Sequence, residues 1–458
     1  KCKTDTAFVM DYLSKEDEEL FRTTTQMTRM IKVSPFEYAD KSQMKDYVLE
    51  EITARYPAET ETTEGDMSWQ EFMELGRNFK GEYLAPVDPD RAVFGAYTSG
   101  STGISKLVIH SSANIVATAY QMSIFIPPSD VQEVWWTPIL PPALIAVTVS
   151  MTIFPLSTGL MVSLDPFCPL ENIDIEFMDR KPNFWALIPL YCEMLMSSER
   201  IPEDYDMSHL RTIGAGAEAM NDRKYAEVEE FFHKHNVQAK LSAGYGQSEG
   251  CSNLTLPNPM FPLEDGCVGM PMTATVLGVF DKDLNELNYG ESGELCMTGP
   301  SMMLHYSGWR GEELTEQTLV EHPDGNTWLH TGDEAYITEQ GIVHILGRGE
   351  IKAYGDKPLH VMRMETKTVR TPGVKDGFFC LVPDQEHEGY YRPYLFVILD
   401  GTKTLEEVAE LLKDTLEEHE YPVEIREITE RPYFHFKTDR KGLTAQILKE
   451  LEQAKEEK

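Results

Sequence analysis

The sequence predicts an α/β fold: a large N-terminal domain of α/β layers with a β-rich portion, followed by a small α+β C-terminal domain. Three observations predict it. The chain has 458 residues, more than a single hydrophobic core usually serves. From about residue 135 to 300, apolar runs alternate with helical stretches, which is typical of parallel α/β units. A glycine-rich charged segment, GRGEIKAYGD at 347–356, then separates a C-terminal part with its own pattern.

The composition is that of a soluble, strongly acidic globular chain. Hydrophobic residues make up 41% and charged residues 26%, and 76 acids against 41 bases give a net charge of −35. Neither nucleic acid nor an anionic membrane is therefore an expected partner. The seven cysteines contain no C-x-x-C pair, which indicates reduced thiols and a cytoplasmic location. Prolines break the uncharged stretch at 134–164, so it predicts buried core and not a membrane span.

Apolar periodicity predicts the elements in chain order. Before residue 90 the chain is acidic, with helical patterning at Met44–Ile52 and Trp69–Leu75. RAVFGAY at 91–97 is rich in β formers and predicts a strand, and Ser112–Ile124 predicts a helix. Further strands are expected at LMVSL, FWALIP, LRTIGAG and AKLSA, helices at ENIDIEFMDR, near 190–198 and at AEAMNDRKYAEVEEFFHKH, and a β-rich part at 272–346.

The C-terminal part predicts strands and a capped helix of its own. Phe378–Val382 and Tyr394–Leu399 are short apolar runs typical of strands. Thr404 and Glu407 form a capping box in front of an apolar helical face. We therefore divide the chain into a large domain at 1–348, whose N-terminal part is short or truncated, and a lid-like domain at 349–458.

A loop of small polar residues directly after the strand at 91–97 is the strongest chemical signal. Its glycines let the backbone turn tightly and present N–H groups, its hydroxyls add donors, and Lys106 adds a positive charge, which together suit phosphate oxygens. The spacing is not that of a Walker loop, and a flexible surface turn is the alternative interpretation. The candidate phosphate ligands are Thr98, Ser99, Gly100, Ser101, Thr102, Gly103 and Lys106.

A second loop, GYGQSEG at 244–250, also follows an apolar run. The end of a strand is where α/β folds place ligands. Tyr245 can stack on a base, Ser248 can donate to a phosphate, and Glu249 can bind Mg²⁺, which prefers carboxylate and phosphate oxygens. Taken alone, a turn with a solvated glutamate explains the segment better.

Four shorter segments add candidates of the same kind. Small residues at 214–218 allow a planar ring to approach the backbone, and the carboxylate of Asp333 in Thr331-Gly-Asp333 can accept both hydroxyls of a ribose. Gly347-Arg348 lies at the domain boundary, and Lys437-Thr-Asp-Arg440 lies in the last domain. The alternatives are a tight strand–helix connection at 214–218, an ordinary β-turn at Asp333 and a surface lysine on a strand at Lys437.

The order and spacing of these segments resemble the adenylate-forming superfamily of acyl-CoA synthetases, peptide-synthetase adenylation domains and luciferases, and are most like an acyl-CoA ligase. YTSGSTGISK resembles the phosphate loop of that family. GAGAEA, GYGQSE, WLHTGD and GR resemble its adenine, metal and ribose elements. GELCMTGPSMMLHY and PYFHFKTDR resemble its G-E-L segment and its C-terminal lysine loop. The resemblance covers roughly residues 91–445.

The resemblance implies ATP and coenzyme A as co-substrates, Mg²⁺ as cofactor, and a role for each matching residue. Lys106, Glu249 and Lys437 would be catalytic, with Glu249 binding the metal and Lys437 bridging the acyl and phosphate oxygens. The small domain would pivot at Gly349 and Glu350. The ATP and AMP ligands would be Thr98, Ser99, Gly100, Ser101, Thr102, Gly103, Lys106, Gly216, Ala217, Glu218, Tyr245, Gly246, Gln247, Ser248, Asp333 and Arg348.

Besides the short N-terminal part, three features depart from the family pattern. The hinge segment GRGEIKAYG is two residues shorter than usual and has Glu350 where the family has Asp. The glycine that normally precedes the catalytic lysine is absent before Lys437. A histidine common in the acyl-pocket segment is replaced by Pro141. The hinge segment contributes to the thiolation site, so its departure bears on the second half-reaction.

The expected substrate is a hydrophobic or aromatic carboxylic acid. No Asp lies at 137–147 to receive the ammonium group of an amino acid. The acyl pocket is predicted to contain Trp135, Trp136, Leu140, Trp185 and Ile188, although plain core is the alternative for each of them. The expected function is ATP-dependent formation of an acyl-adenylate and transfer to coenzyme A. An enzyme that loads a carrier protein and a non-catalytic nucleotide-binding scaffold are the alternatives.

Overall fold

The computed structural model describes residues 5–11, 13–24, 27–55, 65–98, 105–126, 131–166, 168–216, 220–256, 266–348, 352–355, 357–434 and 437–456. Within these ranges the protein has the predicted mixed α/β fold. Its α-helices are Lys15–Thr24, Asp46–Arg55, Trp69–Asn78, Ser112–Phe125, Phe154–Ser157, Ile173–Arg180, Pro189–Met196, Asp222–Lys234, Gly311–Thr318, Val361–Val369, Leu405–Thr415 and Arg440–Glu456. Single 3₁₀ turns are Lys41–Gln43, Leu170–Asn172 and Ser248–Gly250.

The N-terminal part forms a small parallel sheet that the sequence pattern did not reveal. Its strands are Thr6–Met10, Arg29–Val33 and Met67–Ser68. The two helices expected here are present, at Asp46–Arg55 and Trp69–Asn78. Lys45 Nζ lies 2.7 Å from the Glu176 carboxylate, an ion pair that ties this part to the central sheet described next.

The central parallel sheet is the main scaffold and confirms the predicted alternation of strands and helices. Helices Ile173–Arg180, Pro189–Met196 and Asp222–Lys234 alternate with its strands along the chain. Because all the strands are parallel, their carboxyl ends lie along one edge, where such sheets bind ligands. The strands lie in the spatial order Leu241–Ala243, Thr212–Ala215, Phe184–Leu187, Val134–Pro138 and Met161–Asp165.

Aromatic side chains fill both faces of the central sheet. Successive residues of a strand point to opposite faces. Trp136 therefore packs against Trp185, with ring centroids 5.0 Å apart. Trp135 packs on the other face against Phe154 and Phe184, with ring centroids 5.7 Å apart in each pair.

The uncharged stretch at 134–164 is buried in part, and Leu156, Met161 and Leu164 are exposed. It contains the strand Val134–Pro138, a π-helix at Ala146–Ile153 and the short helix Phe154–Ser157. Val147, Val149 and Phe154 are fully buried. No helix in the described ranges combines the length and the apolar character needed to cross a bilayer.

Two antiparallel sheets accompany the central sheet and include the β-rich part predicted at 272–346. One joins Ala92–Tyr97, Leu107–Ser111 and His305–Ser307. The phosphate loop connects two neighbouring antiparallel strands of this sheet, Ala92–Tyr97 and Leu107–Ser111. The other sheet contains Val276–Phe280, Gly293–Thr298, Thr327–Ile337, Leu319–Glu321 and Val343–Arg348. Short strand pairs accompany them at Gly246–Gln247 with Ser252–Asn253, and Thr255–Leu256 with Met270–Pro271.

The C-terminal part has a core of its own. Val374–Pro383 pairs antiparallel with Tyr391–Leu399, which pairs parallel with Glu424–Glu427. The predicted capping box is present, since the Thr404 side chain accepts from the Glu407 amide. Two apolar clusters hold this part together and draw their buried members from residues 359–447. The division at 348/349 stays a prediction. Short strand pairs lie at Ala353–Tyr354 with Lys357–Pro358, and Tyr433–Phe434 with Lys437–Thr438.

Candidate active site

A hydrogen-bonded chain connects Lys106 to Glu249 through Tyr306. Lys106 Nζ lies 3.3 Å from the hydroxyl oxygen of Tyr306. That hydroxyl donates to Glu249 Oε1 at 2.6 Å. Tyr306 and Glu249 are buried, whereas Lys106 is half-buried. A positive charge and a carboxylate are thereby fixed on either side of one phenol.

Strand pairing positions this chain. Tyr306 and Val108 are register partners, so Tyr306 stands beside the strand that follows Lys106. Lys106 itself is held to Thr98, because its amide donates to Thr98 Oγ1 at 3.0 Å. The two ends of the phosphate loop therefore meet at the site.

The turn that carries Glu249 is clamped by His110. His110 Nε2 lies 2.7 Å from the Ser248 carbonyl oxygen, and the Met303 amide donates to the Glu249 carbonyl at 2.8 Å. Burial lowers the pKa of His110, so the ring is neutral near pH 7 and donates its Nε2 proton to Ser248.

Burial, together with the neighbouring charge of Glu249, raises the pKa of Tyr306 well above its usual range. The phenol therefore stays protonated at working pH and always has a proton to donate to Glu249. It donates to Glu249 and accepts from Lys106, so each of the two charged groups has a hydrogen-bond partner.

A second contact connects Tyr245 to Asp333. The Tyr245 hydroxyl donates to Asp333 Oδ2 at 2.5 Å. Asp333 is buried and lies opposite Arg348 in the register of neighbouring strands. Gly332 has φ +72°, a left-handed conformation that glycine adopts without strain, and it turns the chain just before Asp333.

The Tyr306–Glu249 and Tyr245–Asp333 contacts lie close together because Tyr245 and Glu249 belong to one short segment. That segment begins directly after the central strand Leu241–Ala243, at the carboxyl edge of the parallel sheet. Its compact turn requires Gly246, since a Cβ there would lie 1.7 Å from the Ser252 carbonyl oxygen. Lys106, Glu249 and Asp333, which are distant in sequence, thus line one region.

The other predicted nucleotide ligands are placed only in part. Gly216 follows the central strand Thr212–Ala215, Gln247 pairs with Ser252, and Ser248 opens the Glu249 turn. Arg348 ends its strand, but its side chain is outside the described part. Ser99, Gly100, Ser101, Thr102, Gly103, Ala217, Glu218, Gly349 and Glu350 also lie outside it.

Lys437 lies on a separate element from this group. It pairs with Phe434 in a short antiparallel hairpin, next to Tyr433, whose hydroxyl donates to Glu193 at 3.1 Å. Glu193 belongs to the helix Pro189–Met196 of the central layer. The catalytic role of Lys437 stays a prediction.

The five residues of the predicted acyl pocket do not share one surface. Trp136, Trp185 and Ile188 belong to the core on one face of the central sheet, and Trp135 belongs to the core on the other face. The alternation of side chains along a strand explains the separation. Leu140 and Ile188 follow the carboxyl ends of their strands, on the edge that carries the Glu249 segment.

Sequence patterns missed Tyr306 and His110. Neither has a charge or a motif of its own, yet they hold Lys106, Glu249 and the Ser248 turn in place. Tyr306 closes the segment GELCMTGPSMMLHY, so the resemblance contained the signal, whereas nothing near His110 in sequence points to its contact with Ser248.

The chemistry of the site fits a Mg²⁺–nucleotide. Glu249 Oε1 accepts from Tyr306, and Oε2 accepts no hydrogen bond from the described residues. One free carboxylate oxygen near a lysine matches Mg²⁺, which is usually bound by one or two carboxylates together with substrate phosphates.

Comparison with known proteins identifies the family. The profile described as AMP-binding enzyme matches residues 14–307, well over half of the chain. The chain therefore belongs to the AMP-binding enzyme family, and the resemblance noted from its motifs is confirmed.

Two curated relatives are named as CoA ligases. A long-chain-fatty-acid–CoA ligase from Escherichia coli O157:H7 is 27% identical over 320 residues, covering 68% of this chain and 54% of the relative. The 4-coumarate–CoA ligase 2 of Nicotiana tabacum is 25% identical over 337 residues, covering 70% of this chain and 58% of the relative. The matched region spans little more than half the length of these relatives.

A solved structure has the same fold over nearly the whole chain. The crystal structure of ATP-bound MatB from Rhodopseudomonas palustris matches with a TM-score of 0.72 and 19% identity, covering 98% of this chain and 89% of the other. At that identity the likeness establishes the fold alone.

Replacing Tyr306 by Phe is expected to destabilise the protein. The change leaves the buried Glu249 carboxylate without its donor. The loss of a hydrogen bond to a charged group should lower the free energy of unfolding by about 1.5–3 kcal/mol. Urea unfolding measures the effect as a lower midpoint at unchanged slope. Tyr289→Phe is the control, because Tyr289 is 66% exposed. Equal midpoints for the two variants would contradict the bridging role of Tyr306.

Proposed function

We propose that the protein activates a carboxylic acid with ATP and transfers the acyl group to coenzyme A. In the first step a carboxylate oxygen attacks the α-phosphorus and pyrophosphate leaves. In the second step the thiolate of coenzyme A attacks the acyl carbonyl and AMP leaves. The observation that carries the proposal is that one short segment holds Glu249, which is connected to Lys106 through Tyr306, and Tyr245, which donates to Asp333.

The first step joins two anions, so the protein must neutralise charge and align the reactants. The Lys106 ammonium would neutralise phosphate oxygens, and the backbone N–H groups and hydroxyls of residues 98–103 would hold them. Tyr306 would keep Lys106 aimed at the nucleotide. No general base is required, because a carboxylate is already the nucleophile.

Asp333 and Tyr245 would bind the nucleoside. The Asp333 carboxylate would accept from the ribose hydroxyls, with Arg348 beside it on the neighbouring strand. The ring of Tyr245 would pack on the adenine, and the resemblance adds Gly216, Ala217 and Glu218 to the adenine site. Ser248 would donate to the α-phosphate.

Mg²⁺ would be held by Glu249 together with the phosphates of ATP. When bound, it would add positive charge to the triphosphate and favour the departure of pyrophosphate. The contribution of the chain is to orient Glu249 through Tyr306 and the turn that His110 clamps.

A hydrophobic or aromatic acid is the substrate class that we propose. Support comes from the apolar side chains of Leu140 and Ile188 at the carboxyl edge of the central sheet, and from the absence of Asp at 137–147. The curated relatives act, by name, on a long-chain fatty acid and on 4-coumarate.

A carrier protein is the second candidate acceptor. One structural neighbour, McyG, is an A-PCP protein complexed with phenylalanyl-adenylate. It covers 99% of this chain at 18% identity with a TM-score of 0.68. The shortened hinge segment around Gly349 and Glu350 favours testing this acceptor, because the resemblance assigns thiolation to that segment.

A pyrophosphate-release screen over fatty and aryl acids, with and without coenzyme A, tests the function. We expect acid-dependent pyrophosphate release, followed by acyl-CoA and AMP when coenzyme A is added. Acyl-adenylate that accumulates despite coenzyme A would instead indicate a carrier protein as acceptor. ATP binding without pyrophosphate release for any acid would reject the enzymatic function in favour of a nucleotide-binding scaffold.

Replacing Asp333 by Asn is expected to weaken ATP binding roughly 10–100-fold, the value of hydrogen bonds to a charged acceptor. Calorimetry with ATP and with 2′,3′-dideoxy-ATP tests whether the loss comes from the hydrogen bonds between Asp333 and the ribose hydroxyls. The wild type should prefer ATP, and Asp333→Asn should bind both nucleotides almost equally. The exposed Asp283→Asn serves as control. If the variant keeps the full preference for ATP over the dideoxy nucleotide, Asp333 does not bind the ribose.

Replacing Lys437 by Ala is expected to slow acyl-adenylate formation by on the order of 10²–10³-fold, the usual loss for one transition-state donor. Exchange of labelled pyrophosphate into ATP measures this step alone. Lys441→Ala is the matched control, since Lys441 is an exposed lysine on the adjoining helix Arg440–Glu456. Unchanged exchange in Lys437→Ala would exclude this lysine from adenylation.

A further inference from the structure

Cys296, His322 and His330 form a compact cluster of metal-binding side chains next to the ribose motif. Their candidate ligand atoms, the Cys296 Sγ and one ring nitrogen of each histidine, all lie within 4.8 Å of one another. The Nε2 atoms of the two histidines are 2.9 Å apart. Cys296 and His322 are buried, and His330 is partly accessible, which leaves a path from solvent.

Backbone pairing brings these three side chains together. Cys296 and His330 are register partners on adjacent antiparallel strands, Gly293–Thr298 and Thr327–Ile337. Directly opposed side chains of such strands have Cβ atoms about 4.5–5.5 Å apart. His322 belongs to the tight turn that precedes Thr327–Ile337, where its amide donates to the Asn326 carbonyl at 3.0 Å. The cluster is therefore formed by the sheet itself.

A carboxylate orients one of the ligands. Glu294 Oε2 accepts from Nδ1 of His330 at 2.9 Å, which leaves the lone pair of His330 Nε2 directed at the cluster. The same carboxylate is itself fixed, since Oε1 accepts from the Gly332 amide at 3.0 Å. Metal-binding histidines usually donate their other ring nitrogen to a carboxylate in this manner.

The donor set and its surroundings favour one class of ion. One thiolate and two imidazoles suit Zn²⁺, whereas Mg²⁺ and Ca²⁺ prefer oxygen ligands. Phe280 and Trp328 pack around His322, so the cluster is enclosed by apolar rings.

We propose that Cys296, His322 and His330 bind Zn²⁺, with a water molecule as fourth ligand. On binding, the Cys296 thiol loses its proton to solvent, and the His322 ring carries its proton on Nδ1 so that Nε2 can coordinate. The ion would join three neighbouring segments of the β-rich sheet three residues from Asp333. This site is independent of the proposed ligase activity.

Titration of the chelator-treated full chain with Zn²⁺, in the absence of ATP, tests the proposal. Calorimetry should give one tight site per chain, and Co²⁺ in place of Zn²⁺ should produce thiolate-to-metal charge-transfer absorption. Cys296→Ser and His322→Gln should each weaken Zn²⁺ binding by more than about 100-fold, and Glu294→Gln by about 10–100-fold. Cys192→Ser and His233→Gln, a buried thiol and an exposed histidine outside the cluster, should bind as the wild type does.

Three results would overturn the site. These are no Zn²⁺ binding by the wild type, equal losses in cluster and control variants, or a Co²⁺ spectrum without the thiolate band. The Co²⁺ spectrum is recorded on the wild type, so it shows whether Cys296 binds the metal even if Cys296→Ser fails to fold. A chain that binds Zn²⁺ but releases no pyrophosphate would refute the ligase function alone.

Discussion

The hydroxyl of Tyr306 is the contact on which the candidate site depends. It accepts from a lysine and donates to a glutamate, and burial keeps it protonated. In this enclosed position the two charges are held with little reorganisation, which is what electrostatic stabilisation of a transferring phosphate requires. The register that pairs His305–Ser307 with Leu107–Ser111 therefore determines where the charges of the site lie.

Two layers of the fold each contribute half of the site. One antiparallel sheet contains Tyr306 and the strand that follows Lys106, and the other contains Asp333. The carboxyl edge of the parallel sheet contributes the segment with Tyr245 and Glu249. This segment contacts both antiparallel sheets at once. A net charge of −35 would repel a polyanion, so capture of a nucleotide would rest on these local donors.

The zinc cluster that we propose and the ribose carboxylate share a strand. Glu294 contacts both His330 and the Gly332 amide, so the same side chain orients a metal ligand and the turn before Asp333. An ion in the cluster would hold this turn more firmly through ordinary hydrogen bonds. The β-rich sheet would then hold the residues that contact the nucleoside in fixed positions.

The sequence by itself determined the α/β class, the alternation of helices and strands in the central sheet, the Thr404–Glu407 cap and the segments that contain Lys106, Glu249 and Asp333. These features depend on periodicity, capping and turn chemistry, which act over a few residues. Only the tertiary structure decided that Tyr306 bridges Lys106 and Glu249, which lie 200 and 57 positions from it, and that Trp135 and Trp136 belong to different cores. Strand register and sheet packing decide such contacts, because no local pattern specifies which distant segments will pair.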